Sequence, residues 1–329
     1  MKVRICSYVN PDWAIPYSKS IAWALIELGV TDSVEIQNAS QEMKKGTPIE
    51  SGDYDLSFFM SGRKSIDTTQ WKDRVKIYMQ LEQLINCRIN DRYTVGNGFD
   101  YICEPFAANM FLAGSRNADD RVFYCPIGYA PTWERQKFRR PKPARTRKDI
   151  DVLSWGAMTP GRINQFQFLK ENGVNVIYGS DFYDDRLYEY IARAKIILWL
   201  QHKNCRDYAQ LHCLPAQAQG EFVMVQNAEH FGLFEPDVSF ITFTDKHDLL
   251  EKIKYYLKHE DEREKFAANA YEHLRSIPYT DSLAGPVCNF LNHIIEPKRF
   301  KKKYRKRLKL DGQHPDQIVQ SSSPSGTSS

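Results

Sequence analysis

The chain runs twice through the same alternation of short apolar strands and helices, with a basic, proline-containing stretch between the two passes. Parallel strands need long return connections, so this alternation points to parallel sheets with crossover helices. In the first pass the expected strands are Lys2–Val9, Ser33–Gln37, Tyr54–Met60, Arg74–Gln80, Tyr101–Cys103 and Val122–Cys125. Ser18–Leu28 is an expected helix, capped by Ser18 and stopped by Gly29. In the second pass the expected strands are Asp151–Trp155, Val174–Tyr178, Lys195–Leu200, Phe222–Gln226 and Phe240–Phe243. The helices Ile163–Asn172, Asp184–Ala194 and Gln210–Gln219 fall between them, and Lys246–Lys258, Glu260–Ser276 and Thr280–Ile295 close the chain. Strand–helix units repeating at about 20 residues are those of a doubly wound domain. The expected fold class is α/β: two Rossmann-like domains facing each other across a ligand cleft.

Length agrees with two units, since 329 residues exceed one ordinary core and suit two domains of roughly 130–150 residues. The expected divisions are a first domain at 1–133, a basic linker at 134–150, a second domain at 151–296 and a tail at 297–329. The linker rests on Arg135–Lys148, with eight basic residues around Pro141 and Pro143. The tail ends in SSSPSGTSS, which cannot build a core, so 297–329 is expected to be disordered.

Charge is unevenly spread. Lys298–Lys309 holds nine basic residues and no acidic one, and removing those nine charges from the net +4 leaves −5 for the rest. This tail suits an anionic surface, either lipid headgroups or nucleic acid, or simple solvation. Phe300 and Tyr304 interleave with the charges, which favours a surface-binding role. The longest apolar run, Ala194–Leu200, is far short of the roughly 20 residues that span a bilayer. The N-terminal MKVRICSYVN reads as a strand rather than a signal peptide, so a cytoplasmic protein is expected, with a peripheral place at a membrane as the option its tail opens. Seven widely spaced cysteines without a CxxC suggest reduced, mostly buried thiols rather than disulfides or a zinc site.

Four pieces of the second half carry a family resemblance. They are VLSWGAMTPGR at Val152–Arg162, YIARAKIILWL at Tyr190–Leu200, LPAQAQGEFVMV at Leu214–Val225, and the closing strand and helix pair across Phe234–Arg275. In this order they resemble the C-terminal domain of group-1 glycosyltransferases of the two-Rossmann GT-B architecture, and most of all the spore-coat-protein-like branch. The first half matches in layout, with Pro126-Ile127-Gly128 where such chains cross between domains. The resemblance implies sugar transfer from a nucleotide-diphosphate sugar, a co-substrate rather than a cofactor, to a glycan or other hydroxyl acceptor. It also implies that protein cations, not a metal, stabilise the leaving diphosphate. The family usually carries two acids eight positions apart; here the first position is Asp207 and the second is Pro215. Since the second acid commonly grips the donor ribose, ribose binding is expected to differ here or activity to be weak.

Candidate site residues follow from position. Gly156 and Arg162 flank a loop that precedes a helix, where backbone amides, the helix dipole and a guanidinium suit phosphate. His202, Lys203, Arg206 and Asp207 follow the apolar strand Lys195–Leu200, at the end where open α/β sheets bind ligands. Tyr178 ends another strand and could lie against the base. Each could equally be a solvated turn, an ion-pair partner or simple packing. All eight histidines stand at position 202 or beyond, so an acceptor base in the first domain would have to be an acid. Asp12 and Glu82 are the candidates, with Glu104 a third; a retaining mechanism would need none. Two rival readings stay open: a non-catalytic binding protein of the same fold, and a sugar transferase acting on modified DNA bases.

Overall fold

The structure is a computed structural model, and it describes residues 1–8, 11–39, 51–61, 66–81, 83, 98–114, 121–135, 148–201, 205–282 and 285–287. The expected linker therefore lies mostly outside the described residues, and the tail lies wholly outside them.

Two separate parallel sheets form. The first holds β1 (Val3–Ser7), β2 (Val34–Gln37), β3 (Leu56–Ser61), β4 (Lys76–Gln80), β5 (Tyr101–Glu104) and β6 (Val122–Tyr124), in the order β2-β1-β3-β4-β5-β6. The second holds β7 (Ile150–Trp155), β8 (Val176–Gly179), β9 (Ala194–Trp199), β10 (Val223–Gln226) and β11 (Ile241–Phe243), in the order β11-β10-β9-β7-β8. All pairings are parallel. Every residue of β1, β3 and β4 is buried, so both faces of that sheet are covered. These are two Rossmann-like lobes.

The helices are α1 (Pro11–Glu27), α2 (Ala107–Gly114), α3 (Pro160–Glu171), α4 (Asp184–Arg193), α5 (Gln210–Gln217), α6 (Lys246–Lys258) and α7 (Glu260–Ser276). One correction concerns α1, which starts at Pro11 and carries Pro16 inside it. Ser18 is therefore an interior residue, not a cap; it is buried, and its hydroxyl donates to Met60 Sδ at 2.9 Å. Burial of Tyr17, Ile21, Ala24 and Leu25 on one face outweighs the hydrogen bond that Pro16 forfeits. Of the expected helix Thr280–Ile295, residues 285–287 are described and helical. Cys6, Cys103, Cys125 and Cys213 are buried, and Cys205 is half-buried.

One hydrophobic cluster runs through both lobes, joining Tyr17, Ile127 and Trp133 of the first to Tyr188, Tyr208 and Leu214 of the second. Polar bonds register the lobes. The buried Trp133 carbonyl accepts from Tyr188 Oη at 3.3 Å and from Gln219 Nε2 at 3.1 Å. Ile127 N donates to Gln210 Oε1 at 3.0 Å. After α7 the chain returns to the first lobe, where Tyr279 meets Trp23 edge-on at 5.1 Å.

Candidate functional site

In each sheet the order reverses beside the strand that comes first in the chain: between β1 and β3, and between β7 and β9. Open α/β sheets bind ligands in the crevice beyond the carboxyl ends of such strands. At the β7/β9 reversal stand Gly156, directly after β7, and Leu200, directly after β9.

Arg162 bridges those two strand ends. It sits in the first turn of α3, whose N terminus is capped by Thr159. The side chain is 4% exposed. Its Nη1 donates to Ala157 O at 2.8 Å and its Nη2 to Leu200 O at 2.5 Å. The guanidinium carbon lies 4.4 Å from the Trp199 ring centre, in cation–π range. Its Nε is buried without a hydrogen-bond partner. Burial pulls its pKa down to about 10, which leaves it cationic at neutral pH. A buried cation whose Nε is unspent, with no carboxylate bonded to it among the described residues, suits an incoming anion.

His212, in the first turns of α5, shares this spot. Its ring stacks on Trp199 with centres 4.3 Å apart. Burial, then the Arg162 charge, pushes its pKa down to about 4, so it is neutral at pH 7. Gly156 has φ of +107°, which other residues rarely adopt. A β-carbon there would lie 3.5 Å from His212 Cε1 and 3.8 Å from Arg162 Nη1, so glycine, arginine and histidine converge. Sequence reasoning missed His212 and Trp199. The available signal was a histidine early in the helix that follows the strand carrying the other candidates.

The remaining candidates fare differently. Tyr178 stacks on Phe166 at 4.4 Å and has Lys170 Nζ 4.7 Å from its ring centre, so its ring packs on α3. Arg206 is half exposed and ion-paired with Glu229, its Nε donating to Glu229 Oε2 at 2.7 Å. Asp207 is buried and turned toward the first lobe: both its oxygens lie 3.2 Å from Ala108 N, in the first turn of α2. Gln83, another residue the sequence did not single out, completes this clasp. It accepts from Arg206 N at 3.1 Å and Asp207 N at 3.2 Å, and donates to Asp207 O at 2.8 Å. Asp207 thus bonds across the two lobes. Burial raises its carboxyl pKa despite those bonds.

Asp12 lies in the first turn of α1, and its side chain is outside the described residues. Glu82, His202 and Lys203 also lie outside them. Glu104 is fully buried at the end of β5 and accepts from Phe106 N at 3.0 Å, a local structural bond. Pro215 is buried inside α5. Among the described residues no three histidine, cysteine or acidic side chains gather to hold a metal, and no helix is long and apolar enough to cross a membrane.

Residues 135–281 match the family described as "Glycosyl transferase-like". The match covers the second lobe. No curated protein sequence matches the chain. Among solved structures, an alpha-glucosyltransferase in complex with UDP and a 13-mer DNA containing an HMU base is similar over 89% of this chain and 100% of its own, with a TM-score of 0.59 at 13% identity. Anabaena Alr3699/HepE in complex with UDP gives 0.54 at 10% identity, over 89% of this chain and 99% of its own. A glycosyltransferase from Rickettsia africae gives 0.53 at 12% identity, over 90% and 99%. The chain has the GT-B fold of two Rossmann-like lobes, and Arg162 stands in the lobe that the family model matches.

Proposed function

We propose that the chain is a nucleotide-sugar-dependent glycosyltransferase, with the donor diphosphate held at the β7/β9 crevice and the acceptor presented by the first lobe. The observation that carries this reading is Arg162, a buried cation with a free Nε at the carboxyl end of the second sheet. When the glycosidic bond to the donor phosphate breaks, negative charge gathers on the leaving diphosphate. A fixed guanidinium in a dry site stabilises that charge without reorganising. Gly156 lets the diphosphate approach the backbone, and the α3 dipole adds positive potential. Similar solved structures that contain UDP or UDP-glucose support the choice of probe. The test is a panel of nucleotide-sugars scored for thermal shift and donor hydrolysis, with Arg162→Ala as control. A shift with at least one donor, lost in Arg162→Ala, is expected; no shift with any nucleotide or nucleotide-sugar overturns the proposal. Binding without turnover would instead mark a donor-binding protein, in line with Pro215 at the position of the family's second acid.

A second reading concerns the acceptor. The nine basic residues of Lys298–Lys309 suit a polyanion, and a structure of the same fold holds DNA beside UDP. On this reading the acceptor is a modified base in DNA, and the tail grips the duplex backbone. DNA binding that weakens steeply with salt and vanishes on deleting residues 297–329 is expected. Unchanged DNA affinity without the tail refutes it.

A further inference from the structure

Four observations converge on one spot beyond β7 and β9. Arg162 spends two donors on carbonyls and keeps a buried Nε without a partner. The His212 ring stacks on the same Trp199 that Arg162 covers, and no side-chain hydrogen bond engages it among the described residues. Gly156 leaves open the space on which both side chains border. The helix that carries His212, α5, has no side-chain cap at its N terminus, whereas α3 is capped by Thr159. An uncapped helix start concentrates positive potential where His212 stands.

We propose that His212 is a second cation for the donor diphosphate, uncharged in the free protein and protonated when the anion docks against Arg162. The inference rests on the function proposed above and goes beyond it by assigning a proton-loaded partner to Arg162. The electrostatics are direct. In the free protein the ring is half-buried and faces Arg162 from α3 and the neutral Trp199 from β9, with the Cys205 thiol adding to the surroundings of Arg162. Burial first, and then the Arg162 charge, disfavour imidazolium, which is why the ring titrates only near 4. A diphosphate in the same space reverses the sign. An opposite charge at hydrogen-bond range raises a neighbouring pKa by roughly 1–3, and a diphosphate brings more than one. The proton comes from solvent, and binding and proton uptake are then one linked equilibrium.

The sign follows from linkage. The complex holds a proton that the free protein lacks, so affinity falls as pH rises from about 4 toward the bound-state value. Within that window one linked proton weakens binding by up to about tenfold per pH unit.

The experiment titrates the full chain and its His212→Gln variant with UDP by calorimetry, between pH 5.5 and pH 7.5, in buffers of different ionisation enthalpy. Proton release by UDP alone is measured separately and subtracted, and uridine, which has no phosphate, is the blank. The wild type should take up a fraction of a proton approaching one per UDP, with none for uridine. Its UDP affinity should fall roughly tenfold more across the range than that of His212→Gln. Equal pH profiles and no uptake by the wild type overturn the His212 proposal and leave the donor-binding function standing. Absence of any UDP binding by the wild type overturns both. The wild-type proton count needs no variant, so a His212→Gln protein that fails to fold does not block the test.

Discussion

Asp207 decides between two uses of one carboxylate, and two substitutions separate them. Asp207→Ala removes the only side-chain acceptor shown for Ala108 N and leaves that buried donor unmet, a cost of about 1–3 kcal/mol. Asp207→Asn keeps one acceptor oxygen and removes the charge. Because burial outweighs the hydrogen bonds in raising the Asp207 pKa, the ionised form is the strained one. Asp207→Asn should therefore stay within about 1 kcal/mol of wild type at neutral pH. The pH slope has a definite sign. A raised folded pKa means that the folded state binds more protons than the unfolded chain, starting just above the ordinary 3.8. Wild-type stability from this group is thus lost as pH rises through that window. Asp207→Asn lacks the slope, so its stability relative to wild type should improve from pH 4 to pH 7. Urea unfolding at both pH values, followed by tryptophan fluorescence, reads this out. UDP affinity should change less than about threefold in Asp207→Asn, since the carboxylate faces α2. A loss of more than about tenfold in UDP affinity with unchanged stability would refute the clasp and return Asp207 to the donor.

Arg162→Ala should weaken UDP binding by about 10- to 100-fold, matching the roughly 1.5–3 kcal/mol of a charged hydrogen bond. Arg162→Lys should not restore it, because one ammonium cannot reach both carbonyls and lie over Trp199; calorimetric affinities check both. Gly156→Ala should lower stability by about 1–3 kcal/mol through its positive φ rather than through crowding, since its nearest contact would be an ordinary 3.5 Å; denaturant midpoints measure it. Arg206→Ala should leave both the melting temperature and UDP affinity unchanged, because this exposed guanidinium is already spent on Glu229. With Pro215 where the family carries a ribose-binding acid, UDP and 2′-deoxy-UDP should bind within about threefold of each other; a carboxylate on that hydroxyl would open a gap of about tenfold or more.

The strands were legible because burial on both faces forces near-continuous apolar runs, and Tyr54–Met60 and Lys195–Leu200 stand out for that reason alone. The start of α1 was not legible. Pro11 and Pro16 read as breakers, and only the packing of Tyr17 and Ile21 shows why the helix runs through them. The site divides along the same line. Gly156 and Arg162 were visible because a strand, a glycine and a helix start are local in sequence and fix their own geometry. Arg206 and Asp207 were placed after the right strand, yet the direction of a side chain there is set by distant partners. Glu229 takes one of them, and the amide at the start of α2, a lobe away, takes the other.

The same comparison explains how the crevice can work with so few described charges. At the position of the family's first acid, Asp207 is drawn into the lobe interface, and at the second a proline stands inside α5. Neither places a carboxylate near Arg162. Among the described residues, then, no anion competes for the buried Arg162 guanidinium, and the neutral His212 beside it has no ion-pair partner either, which suits the proposed diphosphate. On the proposed function, the lack of these acids at the β7/β9 strand ends would weaken contacts to sugar hydroxyls. The bonds of Gln83 and Asp207 tie the two lobes together, and so would set where an acceptor on the first lobe meets a donor on the second. If the chain transfers sugar as proposed, it depends on positioning and on a concentrated positive site, with little help from hydroxyl-gripping carboxylates.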